Sequence, residues 1–366
     1  MFMSSSTRRV LVFVAVSVMT AGCGKADERS QAEQFAAAMK RGQEHFLEGN
    51  FQKARVEYQN ALQASPRDPS ALFESGRVAD ALGDARSAAQ FYQAAVEASP
   101  DHLGARTELA RIMAFADAPE LAVETLKPGL ERFPDDARML AVRAAALQRL
   151  GDTEGALRDA ERAHSVAPDD VLAITVLAGV KIAGGSLAES RTLLESAVAK
   201  HPDDDGLRVA LADVLVKAGD SSAAVDQMRA LVRLKPRDPN HRVRLARLLV
   251  AGSKPDAAEQ VLRDAVRDFP DDPGMRAAVV AFLESQRGSA AALAQLRTFA
   301  AERPSDFGRQ FALAEFLAAH GSREQARQIY QKIVESEGDS AVALDARVLL
   351  AGHALLLLDA PGATDA

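Results

Sequence analysis

The sequence predicts an all-α protein, a solenoid of about nine helix–turn–helix repeats of 34 residues each. One observation behind this prediction is a proline that returns every 34 residues with no slippage. The prolines are Pro66, Pro100, Pro134, Pro168, Pro202, Pro236, Pro270 and Pro304. The other is a set of small, apolar and turn-forming residues that return at fixed places between these prolines. A fixed period in this range indicates an array of repeated units, none of which buries its apolar face alone.

The small residues of each repeat indicate where its two helices pack together. We number the positions of a repeat from 1 to 34, with the proline at position 32, so that the first repeat begins at residue 35. Position 8 is Gly42 or Gly76 in the first two repeats and mostly alanine afterwards, and position 20 is alanine except for Ser190. Larger apolar residues at positions 7 and 24 follow the three- and four-residue spacings of an amphipathic helix. We therefore expect two antiparallel helices in close contact.

Turn residues separate the two helices of a repeat and then the repeats themselves. Position 15 is a glycine in six repeats, where the first helix ends in a left-handed residue: Gly49, Gly83, Gly151, Gly185, Gly219 and Gly321. Asp117, Ser253 and Arg287 stand there in the others, with Gly288 as an alternative turn residue beside Arg287. The proline stops the second helix because it lacks an N–H and clashes with the preceding turn. Aspartate follows at position 34 in seven repeats, where we expect it to cap the next helix.

The first two repeats match a known pattern most fully. They contain Gly49-Asn50-Phe51, Ala54, Tyr58, Ala61-Leu62 and Pro66, and then Gly83-Asp84, Ala88, Tyr92, Ala95-Val96 and Pro100. This pattern resembles the tetratricopeptide repeat (TPR) family, and it extends from residue 35 to about residue 340. The resemblance implies a right-handed superhelix whose first helices line a concave, partner-binding groove.

The remaining segments lie at the two ends of the chain. Residues 1–22 predict a signal peptide, since Arg8 and Arg9 precede an apolar run that is too short to span a bilayer. Residues 23–34 form a short tether, residues 35–340 the repeats, and residues 341–366 a further helix with a polar tail. That helix ends in four leucines, which either cap the last repeat or expose an apolar patch. A third interpretation is that the sequence is the front part of a longer family member.

Cys23 is the only cysteine of the chain and directly follows the signal segment. Ala21, Gly22 and Cys23 resemble the lipobox of bacterial lipoproteins, in which the cysteine becomes the first mature residue and is acylated. Thr20 departs from the usual leucine of that motif. Gly24 stands where an aspartate would favour inner-membrane retention, so we expect an outer-membrane lipoprotein that faces the periplasm. The alternatives are retention at the inner membrane and ordinary secretion with an incidental free cysteine.

Composition and motifs give no indication of catalysis, a metal or a cofactor. The net charge of −7, with both signs interspersed, argues against non-specific nucleic-acid binding. The seven histidines are scattered, and we expect His102, His201 and His241 to be polar surface residues of the turns between repeats. No motif of a serine hydrolase, zinc protease, P-loop or dinucleotide site is present. We therefore predict a protein that is not an enzyme.

The TPR resemblance places positions 2, 5, 6, 9, 12 and 13 of each first helix in the groove. The residues that we predict to bind a partner there are Phe73, Arg77, Asp80, Arg111, Asp213, Arg244 and Arg247. Arg77 and Arg111 occupy the same position of adjacent repeats, where together they would hold a carboxylate or an acidic peptide. The simpler interpretation is that they pair with Glu74 and Glu108, one turn away on the same helix.

These observations favour a membrane-tethered scaffold that binds protein partners in the periplasm. A lipid anchor followed by a long TPR array resembles lipoproteins that assist the export or assembly of cell-surface polysaccharide or another envelope complex. A second hypothesis is a peptide- or polysaccharide-binding module that acts directly on the exported polymer, although Phe73, Phe115 and Phe311 are the only aromatic residues well placed in the groove. An enzyme would need a nucleophile–base pair or paired carboxylates, which the sequence does not offer.

Overall fold

The computed structural model describes residues 30–358 of the chain, with side chains described up to residue 352. The predicted signal peptide, Cys23 and the C-terminal tail lie outside the described residues. Residues 30–358 form helices joined by short turns and contain no β-strand. The predicted all-α solenoid of helical repeats is confirmed.

Within residues 30–358 the helices form nine consecutive pairs and one further helix. The first helices of the pairs are α1 (30–47), α3 (Pro69–Ala81), α5 (Leu103–Phe115), α7 (Ala137–Arg149), α9 (Val171–Ala183), α11 (Asp205–Lys217), α13 (Pro239–Ala251), α15 (Pro273–Arg287) and α17 (Phe307–Ala319). The second helices are α2 (Phe51–Ala64), α4 (Ala85–Ala98), α6 (Pro119–Arg132), α8 (Thr153–Val166), α10 (Leu187–Lys200), α12 (Ser221–Leu234), α14 (Pro255–Asp268), α16 (Ser289–Glu302) and α18 (Arg323–Glu337). The last helix is α19 (Ala341–Leu358). The helices group into two compact units, which we call unit 1 (up to Lys200) and unit 2 (from His201).

The turn between the two helices of a repeat has the predicted left-handed residue. The six glycines of position 15 have φ between 75° and 84°. Asp117 and Ser253 adopt the same region with φ of 56°, although a side chain makes this conformation costly. Arg287 is instead the last residue of α15, and Gly288 follows it with φ of 90° and ψ of 165°, outside the left-handed helical region. Two of the three repeats that lack the glycine therefore keep the turn, and the third joins its helices through Gly288 alone.

Aspartate side chains begin the first helices, as predicted. The Oδ1 atoms of Asp68, Asp136 and Asp170 accept a hydrogen bond from the backbone N–H three residues later, at 2.9, 2.8 and 2.9 Å. Further aspartates accept backbone hydrogen bonds in the same way at the start of α11, α13, α15 and α17. His102 replaces aspartate before α5, and its Nδ1 accepts from the backbone N–H of Ala105 at 3.1 Å. Each cap satisfies a backbone donor that the helix itself leaves free.

A series of arginines joins first helices to the turns that precede them. Position 4 is Arg106, Arg208, Arg242 or Arg276 in four repeats, and each guanidinium donates to the carbonyl of the position-32 proline six residues earlier. The four donor–acceptor distances are 2.7, 2.7, 3.0 and 2.8 Å. These charge-assisted hydrogen bonds fix the start of a helix against the turn between repeats.

His241 is placed differently from the sequence-based prediction. It lies within α13, and its side chain is buried instead of exposed in a turn. Its Nε2 lies 3.6 Å from a carboxylate oxygen of Asp205 and 3.5 Å from one of Asp238. The reason is its register: His241 occupies position 3, which in other repeats is the buried Ala71 or Ala105. The prediction of a surface turn residue was wrong because α13 begins two residues earlier.

Large side chains of the second helices fill the space that small residues of the first helices leave. Tyr58 and Tyr92, at position 24, are 1% exposed. A Cβ atom placed at Gly42 would lie 2.6 Å from the ring of Tyr58, and one at Gly76 would lie 2.5 Å from the ring of Tyr92. Only glycine therefore permits this separation of the two helices in the first two repeats.

The last helix, α19, packs on the ninth pair. Ala346 is fully buried in one apolar cluster with Leu313, Tyr330 and Ile333 of α17 and α18. Leu344 and Val348, on the other side of α19, remain 59% and 64% exposed. The part of α19 up to residue 352 thus covers repeat 9 and also presents apolar side chains, whereas the side chains of the four final leucines lie outside the described residues. Among the described helices, none is long and apolar enough to span a bilayer.

We predict opposite effects for one substitution at two glycines in the middle of first helices. Gly76→Ala destabilises the protein by about 1–3 kcal/mol, because the new methyl group overlaps the buried ring of Tyr92. Gly179→Ala, in α9, stabilises it by about 0.5–1 kcal/mol, since its Cβ meets no atom within 4 Å and alanine favours the helix. Denaturant unfolding of both variants measures these changes. Equal shifts of the same sign would contradict the packing described for position 8.

Candidate protein-binding face

The positions predicted to line the groove lie on one face of consecutive first helices. We call this surface, made of positions 2, 5, 6, 9, 12 and 13, the first-helix face. Contacts between neighbouring first helices support this placement. Asp80 of α3 pairs with Arg111 of α5 in unit 1, and Glu284 of α15 contacts His320 of α17 in unit 2. Within each unit these pairs of first helices from adjacent repeats therefore lie next to one another.

In unit 1 the predicted cations of this face already have partners. Arg77 pairs with Glu74 at 2.9 Å, and its guanidinium lies 4.4 Å from the ring centroid of Phe46. Arg111 pairs with Glu108 at 2.6 Å and with Asp80. Burial opposes the charge of Arg111, but the hydrogen bond and charge of Glu108, with the charge of Asp80, outweigh it and raise its pKa. Each of the two arginines therefore pairs with a glutamate of its own helix, and Arg111 also pairs with Asp80 of the preceding repeat.

The aromatic residues of unit 1 differ in their surroundings. Phe73 packs at 5.7 Å from the ring of Tyr92 and 4.8 Å from that of His102, measured between centroids. It belongs to the partly buried edge of the apolar cluster around Tyr92. Phe115 instead is 68% exposed. Of these two rings, only Phe115 presents its surface freely to a partner.

In unit 2 the predicted cations have no such partners. Arg244 and Arg247, both on α13, are exposed and form no hydrogen bond or ion pair with any described residue. Asp213 of α11 is exposed as well, but the surrounding protein desolvates its carboxyl and raises its pKa. The charges of Arg244 and Lys217 act in the opposite direction without forming a contact pair.

Two apolar clefts continue the face beyond these charges. A cleft of about 270 Å³ separates α13 from α15 and is lined by Val243, Arg247, Val250, Ala281 and Phe282 among others. A second cleft, of about 580 Å³, separates α15 from α17. Its walls include Val280, Ala281, Ala312, Phe316 and Ala319, with Glu284, Glu315 and His320 among its polar residues. Ala281 lines both clefts, so they adjoin on α15.

His320 and Glu284 join the two walls of the larger cleft. The His320 ring stacks on Phe316 at 4.0 Å between centroids. Its Nδ1 lies 2.8 Å from the carbonyl oxygen of Phe316, and its Nε2 lies 2.9 Å from Oε1 of Glu284. The imidazolium form can donate to both oxygens at once, whereas the neutral ring can donate to only one of them. The backbone hydrogen bond first, and then Glu284, raise the pKa of His320 above its ordinary value.

Glu284, Glu315 and His320 are site residues that the sequence analysis did not identify. Glu284 and Glu315 stand at positions 12 and 9, which belong to the predicted face. Their repeat positions were the sequence feature that could have identified them, because no motif surrounds either residue. His320 lies just after the predicted positions, and its contact with Glu284 joins residues 36 apart. Within the described residues, no group of three or more His, Cys, Asp or Glu side chains is arranged to hold a metal ion.

Comparison with known families agrees with this architecture. A sequence profile described as tetratricopeptide repeat matches residues 81–146. A second profile of the same description matches residues 26–102, 175–239 and 209–273. Together they match more than half of the chain. The chain belongs to the tetratricopeptide repeat family. The comparison with curated proteins gives no match.

Several solved structures resemble this chain at low sequence identity. A tetratricopeptide repeat protein from Parabacteroides merdae is 15% identical, with a TM-score of 0.49 over 69% of this chain and 99% of that one. The human IFIT1 dimer with m7Gppp-AAAA is 16% identical, with a TM-score of 0.57 over 80% of this chain and 69% of that one. The Cut9–Hcn1 hetero-tetramer of the APC/C is 14% identical, with a TM-score of 0.50 over 76% and 55%. The likeness concerns the fold alone, and the TPR array indicates a scaffold for protein–protein interaction.

We predict that the contact between α15 and α17 of this TPR protein depends on pH through His320. Because its pKa is raised on folding, the contact stabilises the protein fully below the ordinary value of 6.5 and is lost as pH rises through the folded pKa. Glu284→Gln lowers the pKa of His320, since it removes the carboxylate charge. An NMR titration of the ring in both proteins measures this shift. The same titration curve in wild type and variant would contradict the geometry.

Proposed function

We propose that this TPR protein is a membrane-anchored periplasmic scaffold that holds protein partners on its first-helix face. The observation that carries the proposal is in unit 2, where Arg244 and Arg247 are exposed without an internal partner beside two apolar clefts. Protein interfaces combine apolar pockets with arginine anchors, and contiguous apolar surface of this kind favours contact with another molecule. In unit 1 the corresponding cations are used within the fold.

The membrane anchor is proposed from the sequence around Cys23. The signal-like segment, the lipobox-like Ala21-Gly22-Cys23 and the absence of any other cysteine support acylation at this residue. Each acyl methylene that enters the bilayer contributes about 0.8 kcal/mol, so a multiply acylated cysteine holds a soluble domain at the membrane surface. Gly24 favours the outer membrane over the inner membrane in this proposal.

For the process we propose the export or assembly of cell-surface polysaccharide or of another envelope complex. Its support is the resemblance to TPR lipoproteins that act in such systems. A second candidate is a module that binds the exported polymer or a peptide directly. Polysaccharide binding is less well supported because it depends on accessible aromatic platforms, and Phe73 is packed against Tyr92 and His102.

Nucleic acid is not the ligand that we propose. The IFIT1 structure contains m7Gppp-AAAA, but that describes the human protein. The present chain has a net charge of −7, and non-specific affinity for a phosphate backbone depends on clustered positive charge.

Replacing Cys23 tests the anchor. In the native host, wild-type protein is expected in the membrane fraction and labelled by an alkyne analogue of palmitate. Cys23→Ser removes the acylated thiol, so this variant is expected to be unlabelled and released with the soluble periplasmic proteins. Identical fractionation and labelling of the two proteins would refute the lipid anchor while leaving the TPR scaffold untouched.

Replacing an alanine of the clefts tests the scaffold. Tagged full-length protein, purified from crosslinked envelopes, is expected to recover at least one envelope protein that mass spectrometry identifies. Ala281→Asp places a charge where both clefts meet, and recovery should fall about ten-fold because that charge is desolvated by a partner. Ala294→Asp, at an exposed alanine of α16, is the matched control. No envelope protein, or equal recovery with both variants, would count against the proposal.

A further inference from the structure

The first-helix face of unit 2 has its charges in a definite order. The cations lie at one end, on α11 and α13: Lys217, Arg244 and Arg247. The acids lie at the other end, on α15 and α17: Glu284 and Glu315. The two apolar clefts lie between α13 and α15 and between α15 and α17. Moving along the face, a ligand therefore meets positive charge, apolar surface and then negative charge.

The positive end is not neutralised within the protein. Lys217, Arg244 and Arg247 are exposed and form no hydrogen bond or ion pair with the described residues. Asp213 is the one acid of the predicted positions on α11 and α13, and the charges of Arg244 and Lys217 act on it. One carboxylate among three cations leaves an excess of positive charge. Such an excess favours an anionic group of the ligand at α11 and α13.

The negative end is likewise available. Glu315 is exposed and forms no hydrogen bond or ion pair with the described residues. Glu284 contacts His320, which takes up one of its oxygens when the imidazole is protonated. Arg276 and Arg309 also line the larger cleft, but both are engaged within the protein. Arg276 donates to the carbonyl of Pro270 and lies 4.0 Å from a carboxylate oxygen of Asp306, and Arg309 is buried and paired with Glu302 and Asp306. A cationic group of the ligand is therefore favoured near Glu315.

The distance between the two ends suits a short peptide. Directly packed helices lie about 8–10 Å apart, and the clefts hold α13, α15 and α17 further apart than that, so the two steps from α13 to α17 span at least about 20 Å. An extended chain covers this distance in about six residues, at about 3.3 Å per residue. The clefts between the charged ends are lined by Val243, Val250, Val280 and Phe316, which accept apolar side chains.

We propose that the first-helix face of unit 2 binds a peptide segment with acidic residues at one end, basic residues at the other, and apolar residues between them. This inference rests on the proposed scaffold function and specifies the chemistry of its partner. A uniformly anionic polymer fits less well, because its far end would meet Glu315, whose carboxylate has no partner among the described residues. A uniformly basic segment is disfavoured in the same way at Arg244 and Arg247.

Selection from a random 12-residue peptide library displayed on phage tests this inference. The target is the full chain with Cys23→Ser, so that no acyl group takes part. The enriched peptides are expected to share an acidic and a basic group that flank apolar residues. Arg244→Glu with Arg247→Glu should weaken their binding about ten-fold or more, because like charges then meet. Replacing the acidic residues of the peptide by lysine should restore it, and Glu315→Lys should respond to the reverse exchange.

The controls change the same charges elsewhere in unit 2. Arg233→Glu with Arg237→Glu alters two exposed arginines of α12 and the turn after it. Glu335→Lys alters an exposed glutamate of α18. Both controls should leave peptide affinity unchanged, and circular dichroism verifies that every variant is folded.

Three results would overturn the inference: no enriched peptides, enriched peptides of a single charge sign, or affinities that the face variants leave unchanged. Binding of polyglutamate that depends on Arg244 and Arg247 but not on Glu315 would instead identify a uniformly acidic occupant. If an envelope partner is recovered equally well with all the charge-reversal variants, the proposed scaffold function is supported and this inference is refuted. If peptides with the expected order of charges are selected but no envelope protein is recovered, this inference is supported and the proposed scaffold function is not.

Discussion

Apolar packing between neighbouring helical pairs is the constraint on which this structure depends. One pair of short helices cannot bury its apolar side, so each must stack against the next. The stacking requires the helices of every pair to begin and end at the same positions of the 34-residue repeat. Aspartate caps such as Asp68 and left-handed turn residues such as Gly83 fix where the helices begin and end. Ser253 adopts the same turn without glycine. Once these positions are fixed, the first helices within each unit lie next to one another, and their positions 2, 5, 6, 9, 12 and 13 form the first-helix face of that unit.

Whether the charged side chains of the first-helix face are available to a partner depends on whether they already pair within the protein. In unit 1, Arg77 and Arg111 are bonded to acids of the same or the adjacent helix, so they contribute to the fold. In unit 2, Arg244 and Arg247 have no such bonds, and the neighbouring first helices are separated by apolar clefts. Exposed arginines beside apolar surface are more readily used in binding than paired ones, because no internal bond must break first. The two units thus share a fold, but the predicted arginines of unit 1 are bonded to acids whereas those of unit 2 lie exposed beside apolar clefts.

The repeat architecture could be predicted from the sequence because its signals are local and repeated. Proline, glycine and aspartate act on the backbone within a few residues of themselves, so their spacing alone predicted the turns and the caps. The site could be predicted only by position. Arg247 and Asp213 were assigned to the first-helix face from their register. The burial of His241, the partial burial of Phe73 and the contact of His320 with Glu284 were not predicted. These depend on side chains one repeat away, which no local pattern specifies.

The central claim is that partners bind the first helices and not the second. Photocrosslinking in living cells tests it most directly. A photoreactive residue is placed in turn at position 9 of first helices, at Arg111, Asp213 and Arg247, and at position 25 of second helices, at Gln93 and Arg229. The account predicts that position 9 crosslinks to an envelope protein, most strongly at Arg247, and that position 25 does not. Crosslinks from position 25 alone would contradict it.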